Sequence, residues 1–181
     1  GVAGACVPVF GGIVLDFSKL NAILEIDNEN FCATIQPGVI LKNLHNAVES
    51  VGLFYPPDPN SLETCCIGGN IATSAGGPRA VKYGITRNYI LNLKAFFADG
   101  TLSNYGGKYE KVATGYNLNH LLIGSEGTLA VISEIVVKLI PRPPITVDLL
   151  VPFKKFADAA AVIPELLKLD LSIAVCEFID N

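Results

Sequence analysis

The sequence predicts an α+β fold, and three observations predict it. Short runs rich in β-branched residues recur at 13–17, 22–27 and 32–36, punctuated by Asn21, Asp27-Asn28 and Pro37-Gly38. Apolar residues at Leu41, Leu44, Ala47, Val48 and Val51 then form a helical stripe. Farther on, extended runs at 90–98 and 101–104 flank Asp99-Gly100, the dipeptide expected at the tip of a tight hairpin. A small antiparallel or mixed sheet with one helix packed on it is the expected first unit. The hairpin implies a second antiparallel sheet.

Taken in order, the helix over 41–51 should end at Gly52 in the C′ position. Leu53, Phe54 and Tyr55 extend briefly before Pro56-Pro57-Asp58-Pro59, whose restricted φ angles and missing donors exclude both helix and central strand. That rigid loop is either a plain connection or a preorganised carrier of Asp58 and Asn60 toward a ligand. Within LLIGSEG at 121–127, Gly124, Ser125, Glu126 and Gly127 could be only a turn, and 128–140 alternates well enough for a long strand. Pro141-Arg142-Pro143-Pro144 halts that strand and marks a domain boundary. Beyond it, 147–151 reads as a strand, 153–169 as a helix kinked or broken at Pro164, and 173–179 as a strand, a βαβ-like start of a second unit. The expected division is therefore 1–143 and 144–181.

Composition narrows the function. Half of the 181 residues are apolar, enough for a real core, and the net charge is −4 with no cluster of lysine and arginine, which argues against a nucleic-acid surface. Glu126, Ser133, Glu134 and Lys138 interrupt the apolar stretch 121–140, so no transmembrane helix is expected. The opening 1–12 lacks a basic region of the kind that starts a secretion signal. Five cysteines, Cys6, Cys32, Cys65, Cys66 and Cys176, suit a reducing compartment better than a disulfide framework, which points to the cytoplasm, with or without peripheral membrane association. No Cys/His spacing matches a metal site, and His45 and His120 both fall in structural settings. The chain has no methionine and opens inside a glycine-rich run, as a fragment would.

The most informative stretch is CIGGNIATSAGGPRAVKYG at 66–84, where Gly68-Gly69 and Gly76-Gly77 bracket small residues. Paired glycines mark either φ > 0 geometry or a surface too close for any Cβ. As plain turns they mean nothing more. As a cradle, they free amide N–H groups to form a nest for phosphate oxygens, and Thr73 and Ser74 add hydroxyl donors. Neither G-x-x-x-x-G-K-[ST] nor a strand-to-helix G-x-G-x-x-G occurs, so a kinase-type or Rossmann-type site is disfavoured.

Several segments together resemble one family. GGIVLDFSKLNAILEID, ATIQPGV, YPPDPNS, CIGGNIATSAGG, KYGITRNYILNLKAFFADG, GYNLNHLLIGSEGTLAVISE and CEFID follow the order found in FAD-linked oxidases and dehydrogenases with the vanillyl-alcohol-oxidase, or PCMH, type of flavin domain. The resemblance is nearest to the FAD subunit of glycolate oxidase and to D-lactate and D-2-hydroxyglutarate dehydrogenases, and it covers almost the whole chain. It implies a non-Rossmann FAD-binding domain of two α+β subdomains, lacking its N-terminal part here, followed by the start of an α+β cap domain that holds substrate.

The resemblance also implies a non-covalent FAD site. Pro57, Asp58 and Pro59 would lie along the flavin. Gly68, Gly69, Asn70, Thr73, Ala75, Gly76 and Gly77 would line the pyrophosphate and ring, Tyr83 and Gly84 would continue the motif, and Glu126, Gly127, Val131 and Ile132 would close over the nucleotide. Arg79 and Lys82 are either cations that offset phosphate charge or ordinary surface residues. Three departures stand out: Ser74 where asparagine is common, Asn117 where aspartate is common, and Ala130 where glycine is common. Glu177 and Asp180 match an E-x-x-D on the cap's first return strand, with a role in its fold. The implied reaction is oxidation of a 2-hydroxy acid of the glycolate or D-lactate type, with an electron acceptor or other oxidase subunits as partners; the catalytic base is expected beyond Asn181. The rival readings are a non-catalytic FAD-holding subunit and a sugar or phosphate binding module.

Overall fold

The computed structural model describes residues 4–169 and 171–179. Asp180 and Asn181, and with Asp180 half of the E-x-x-D pair, lie outside them.

Strands β1 (Ile23–Asp27), β2 (Cys32–Ile35), β4 (Ile90–Phe97), β5 (Leu102–Asn104) and β6 (Ala130–Lys138) build one antiparallel sheet in the order β1-β2-β6-β4-β5. The expected second sheet is therefore a correction: the hairpin β4–β5 joins the first strands because β6 inserts between β2 and β4. Apolar pairing along both of its edges decides this. Ile135 and Val137 on β6 face Ile35 and Ala33 on one side and Leu93 and Ile90 on the other, and all of these are buried. Cross-strand apolar pairs of this kind stabilise by about 0.2–1 kcal/mol each, and only the central position gives β6 two sets of them.

Helix α1 (Leu41–Glu49) packs on this core through Leu41, Leu44, His45 and Val48. The expected stripe differs from the buried face at two places: the helix ends before Val51, which is exposed, and His45 joins the buried face. Ser50 is the C-cap, which leaves Gly52 at C″ rather than C′. A short pair, β3 (Leu53–Phe54) with β7 (Ile140–Pro141), ties the loop after α1 to the end of the long strand.

Helix α2 (Ile67–Ala72) lies inside the glycine-rich stretch, against the propensity of its residues. Tertiary bonds support it. Ile67 N donates to Val39 O (2.9 Å), and Gly68 N to Pro37 O (2.8 Å). A Cβ on Gly68 would sit 2.7 Å from Pro37 Cβ, so only glycine lets the helix approach the 36–40 segment. A turn of helix, α3 (Ala80–Tyr83), and a 3₁₀ turn (Thr86–Tyr89) lead into β4.

Helix α4 (Asn119–Leu122) is held to the sheet by Asn119, 3% exposed. The β4–β6 register shifts between Ile90 and Asn92, and Asn119 pairs with the β4 groups beside that shift: its Oδ1 accepts from Leu93 N (3.1 Å) and its Nδ2 donates to Leu91 O (3.3 Å). Buried backbone groups demand such partners.

Three expected strands are not formed. Residues 13–17, 147–151 and 173–179 have no ladder partner among the described residues, and Ile13, Val147, Leu149, Leu150 and Ile179 stand exposed. A strand is held by its neighbour's amides and carbonyls, so an apolar run with none beside it stays irregular. Between the last two lies α5 (Phe156–Lys168), which carries Pro164 inside it and meets the following segment through an edge-on contact of Phe156 with Phe178.

Candidate functional site

Three pieces of chain meet at the C-terminal end of α2. The helix closes in a Schellman motif: Ala75 N donates to Asn70 O (2.8 Å) and Ser74 N to Ile71 O (3.0 Å), with Ser74 in the left-handed conformation at φ +50°. The GSEG turn then docks on the same end. Gly124 N donates to Ile71 O and Glu126 N to Ala72 O, both at 2.9 Å, so these carbonyls at the end of α2 face amides instead of solvent. Glu126 is itself left-handed at φ +52°. Arg87 pins the turn from below, its guanidinium donating to His120 O (3.0 Å) and Ile123 O (2.5 Å).

The third piece is the loop at 56–59. A Cβ on Gly77 would collide with the Asp58 carbonyl oxygen, so the second glycine pair marks a contact of this loop with the 76–79 turn, not a turn of positive φ. Arg79 Nε meets Asp58 Oδ2 at 3.0 Å, and the guanidinium lies over the Phe54 ring at 5.0 Å. Beneath the loop, His45 Nε2 donates to Pro57 O at 3.1 Å. Burial, reinforced by the Arg79 charge, lowers the His45 pKa to about 4, so its imidazole is neutral at pH 7. Burial likewise raises the Asp58 pKa above the ordinary carboxylate value, an effect larger than the opposing pull of Arg79. Phe54 in turn meets the Tyr83 ring edge-on at 5.9 Å, and Tyr89 Oη donates to Tyr83 O at 2.9 Å.

The expected site residues divide accordingly. Gly69 in α2, Thr73, Ala75, Gly76 and Gly77 after it, Glu126 and Gly127 of the docked turn, and Asp58 and Pro59 against Gly77 are all at least partly exposed. Pro57 is buried under the loop, and Gly68 faces Pro37. Asn70 is buried and donates to Cys65 Sγ at 3.5 Å. Gly84, at φ +78°, abuts Asn88. Val131 and Ile132 are successive strand residues and face opposite sides of the sheet. Val131 lines a cavity of about 340 Å³ under the 14–20 segment, whereas Ile132 packs on the core. The sequence marks His45 only as structural and does not single out Arg87, because the partners of both are backbone carbonyls that no side-chain motif signals.

The donors available to a ligand can be counted. Thr73 Oγ1 gives its proton to Gly69 O, Ser125 Oγ to Leu122 O and Thr128 Oγ1 to Ser125 O, so these hydroxyls are spent. Ser74 Oγ is buried with no partner. Among the described residues the N–H groups of Gly76, Gly77 and Gly127 have no protein acceptor either. An orphan hydroxyl and free glycine amides around one helix end fit the anionic and polar atoms of FAD. Among the described residues no helix is long and apolar enough to cross a membrane, and no cluster of acids, histidines and cysteines could hold a metal ion.

Comparison with known proteins gives the same chemistry. Residues 1–106 match the family described as FAD binding domain. Glycolate oxidase subunit GlcD of Bacillus subtilis is 45% identical over 180 residues, 99% of this chain and 38% of that protein. D-lactate dehydrogenase of Archaeoglobus fulgidus is 45% identical over 181 residues, 100% of this chain and 40% of that protein. D-2-hydroxyglutarate dehydrogenase of Xanthomonas citri is 40% identical over 144 residues, 80% of this chain and 30% of that protein. Among solved structures, alkyldihydroxyacetonephosphate synthase superposes with a TM-score of 0.68 at 31% identity, over 80% of this chain and 28% of that one. The chain thus spans about two fifths of the length of the curated relatives it matches in full.

Proposed function

Since the chain belongs to the FAD-binding-domain family of FAD-linked oxidoreductases, we propose that it forms one wall of an FAD site in an enzyme that oxidises a small 2-hydroxy acid. The observation that carries this reading is the unspent donor set, Ser74 Oγ and the amides of Gly76, Gly77 and Gly127, at the junction of three loops. Bound there, FAD supplies the two-electron acceptor for a hydride from the substrate carbon. The chain's own residues bind and orient. The glycine amides would face the phosphates, the rigid 56–59 loop would bound the ring, and the docked GSEG turn would close the nucleotide side. The cofactor is held non-covalently in this reading: His45 is enclosed under the loop, its Nε2 engaged by Pro57 O, and His120 lies on α4. The 2-hydroxy-acid class comes from the names of the relatives, and the boundary at 141–144 separates the FAD domain from the substrate-holding part.

The test uses protein of full natural length, purified with FAD and mixed without oxygen with glycolate, D-lactate or D-2-hydroxyglutarate. One of them should bleach the visible flavin band. A yellow protein that none of these bleaches would favour an FAD-holding subunit of an oxidase complex, and a colourless protein would remove the flavin reading altogether.

A further inference from the structure

The 56–59 loop has two partners that no sequence motif singles out. From α1, buried His45 donates Nε2–H to Pro57 O. From the turn before α3, Arg79 pairs with Asp58 at 3.0 Å and stacks on Phe54, while Gly77 lies against the Asp58 carbonyl. Adjacent residues of one loop are thus held by two elements, and the two holding groups share surroundings: the Phe54 ring is 6.5 Å from that of His45 and carries the Arg79 guanidinium. Pro56 and Pro57 have no N–H and a restricted φ, so the loop cannot be held through its own amides there. Its carbonyl and its carboxylate are what remain.

We propose that His45 and Arg79 are positioning residues for the cofactor, clamping the 56–59 loop against the 76–79 turn so that the ring-facing edge of the site keeps its shape. The proposal rests on the FAD reading above. It assigns Arg79 Nε to Asp58 and not to a phosphate, because that nitrogen is already committed to the carboxylate at 3.0 Å. The charges that face the clamp are few. Arg79 and Lys42 face His45, which also lies near the Tyr55 ring and backbone, and Arg79 and Glu177 face Asp58. Burial, with the Arg79 and Lys42 charges adding to it, keeps the imidazole neutral, and the neutral Nε2–H tautomer suffices to donate to Pro57 O. The clamp therefore couples across the loop. Removing the Arg79 charge should make His45 easier to protonate, because the two groups lie close enough for the charge to be felt across the loop.

The experiment uses protein of full natural length. First, the His45 ring is followed by NMR against pH in the flavin-free protein. It should take up its proton far below the ordinary histidine range, and Arg79→Gln should move that point upward. Second, FAD affinity is measured at pH 7.5 by flavin fluorescence. Arg79→Gln and His45→Ala should each weaken it about tenfold, the effect of one lost buried hydrogen bond or ion pair. His45→Gln retains an N–H donor and should stay within about threefold of the wild type. Asp58→Asn should match Arg79→Gln, since either removes the same pair. An ordinary His45 titration, or wild-type FAD affinity in both Arg79→Gln and His45→Ala, would overturn the clamp. A wild-type protein that takes up no FAD would instead remove the functional reading and this role with it.

Discussion

The glycine-rich stretch 66–84 and the stretch 145–179 make opposite use of their residues. The first is poor in helix and strand formers, yet it is ordered by bonds from outside itself: Val39 O and Pro37 O at the start of α2, Gly124 N and Glu126 N at its end. The second is rich in β-branched and large apolar residues, yet among the described residues its candidate strands have no ladder partner and are largely exposed. Local propensity differs between them in the wrong direction. What distinguishes them is the supply of partners for backbone groups, and that supply comes from tertiary structure.

Substitutions can sharpen this contrast. The largest effect is expected from Gly77→Ala, whose Cβ meets the Asp58 carbonyl: about 2–3 kcal/mol lost in chemical denaturation, while Val147→Ala, at a residue 73% exposed, should change stability by less than about 0.5 kcal/mol. Equal losses at the two positions would erase the distinction. Next in size is Asn119→Leu, which fills the space but leaves Leu93 N and Leu91 O without their amide partner; about 2 kcal/mol should be lost.

A third effect depends on pH. His45 has a folded pKa of about 4 against an ordinary 6.5, so the unfolded chain binds the proton first. Stability from this group is complete above about pH 6.5 and declines as pH falls toward 4, by about 2–3 kcal/mol over the window. Asp58 contributes with the opposite sign, because its folded pKa is raised, and it is common to both proteins in a comparison with His45→Gln. The stability advantage of the wild type over His45→Gln, measured by urea unfolding, should therefore shrink on acidification through that range. A constant difference would mean that His45 is not neutral in the fold.

The smallest effect is a gain. Ser74 is left-handed at the C′ position, where glycine is favoured, and its hydroxyl is an orphan. Ser74→Gly should raise the melting temperature of the flavin-free protein, by about 1 kcal/mol of stability. The same change should weaken FAD binding if that hydroxyl serves the ligand, so the two readouts move in opposite directions.

Much of this was legible from residues alone. The strands at 22–27 and 32–36, the helix over 41–51, the Asp99-Gly100 hairpin and the GSEG turn all carry local signals, and the structure contains each. The family follows from the order of motifs. Legibility ended where a residue's partner is far away in sequence. Alternation identifies β6 as a strand but cannot say that it lies between β2 and β4. The glycine pairs announced close approach, but the surfaces approached are Pro37 and the Asp58 carbonyl, parts of the same chain. His45 read as structural, and its bond to Pro57 O makes it so. That this bond anchors the rigid loop depends on a fold that brings α1 beneath residues twelve positions away.

The docking of Gly124 and Glu126 on the end of α2 has an electrostatic consequence. A helix end normally presents a negative pole, repellent to phosphate. Here two of those carbonyls are covered by amides, and the donors left over belong to Gly76, Gly77 and Gly127. On the proposed FAD reading, the attraction for an anion would be built from peptide dipoles, in a chain whose net charge is −4. Peptide dipoles neither titrate nor carry a counterion cloud, so phosphate affinity at this wall should respond weakly to salt and leave pH sensitivity to the neighbouring loop.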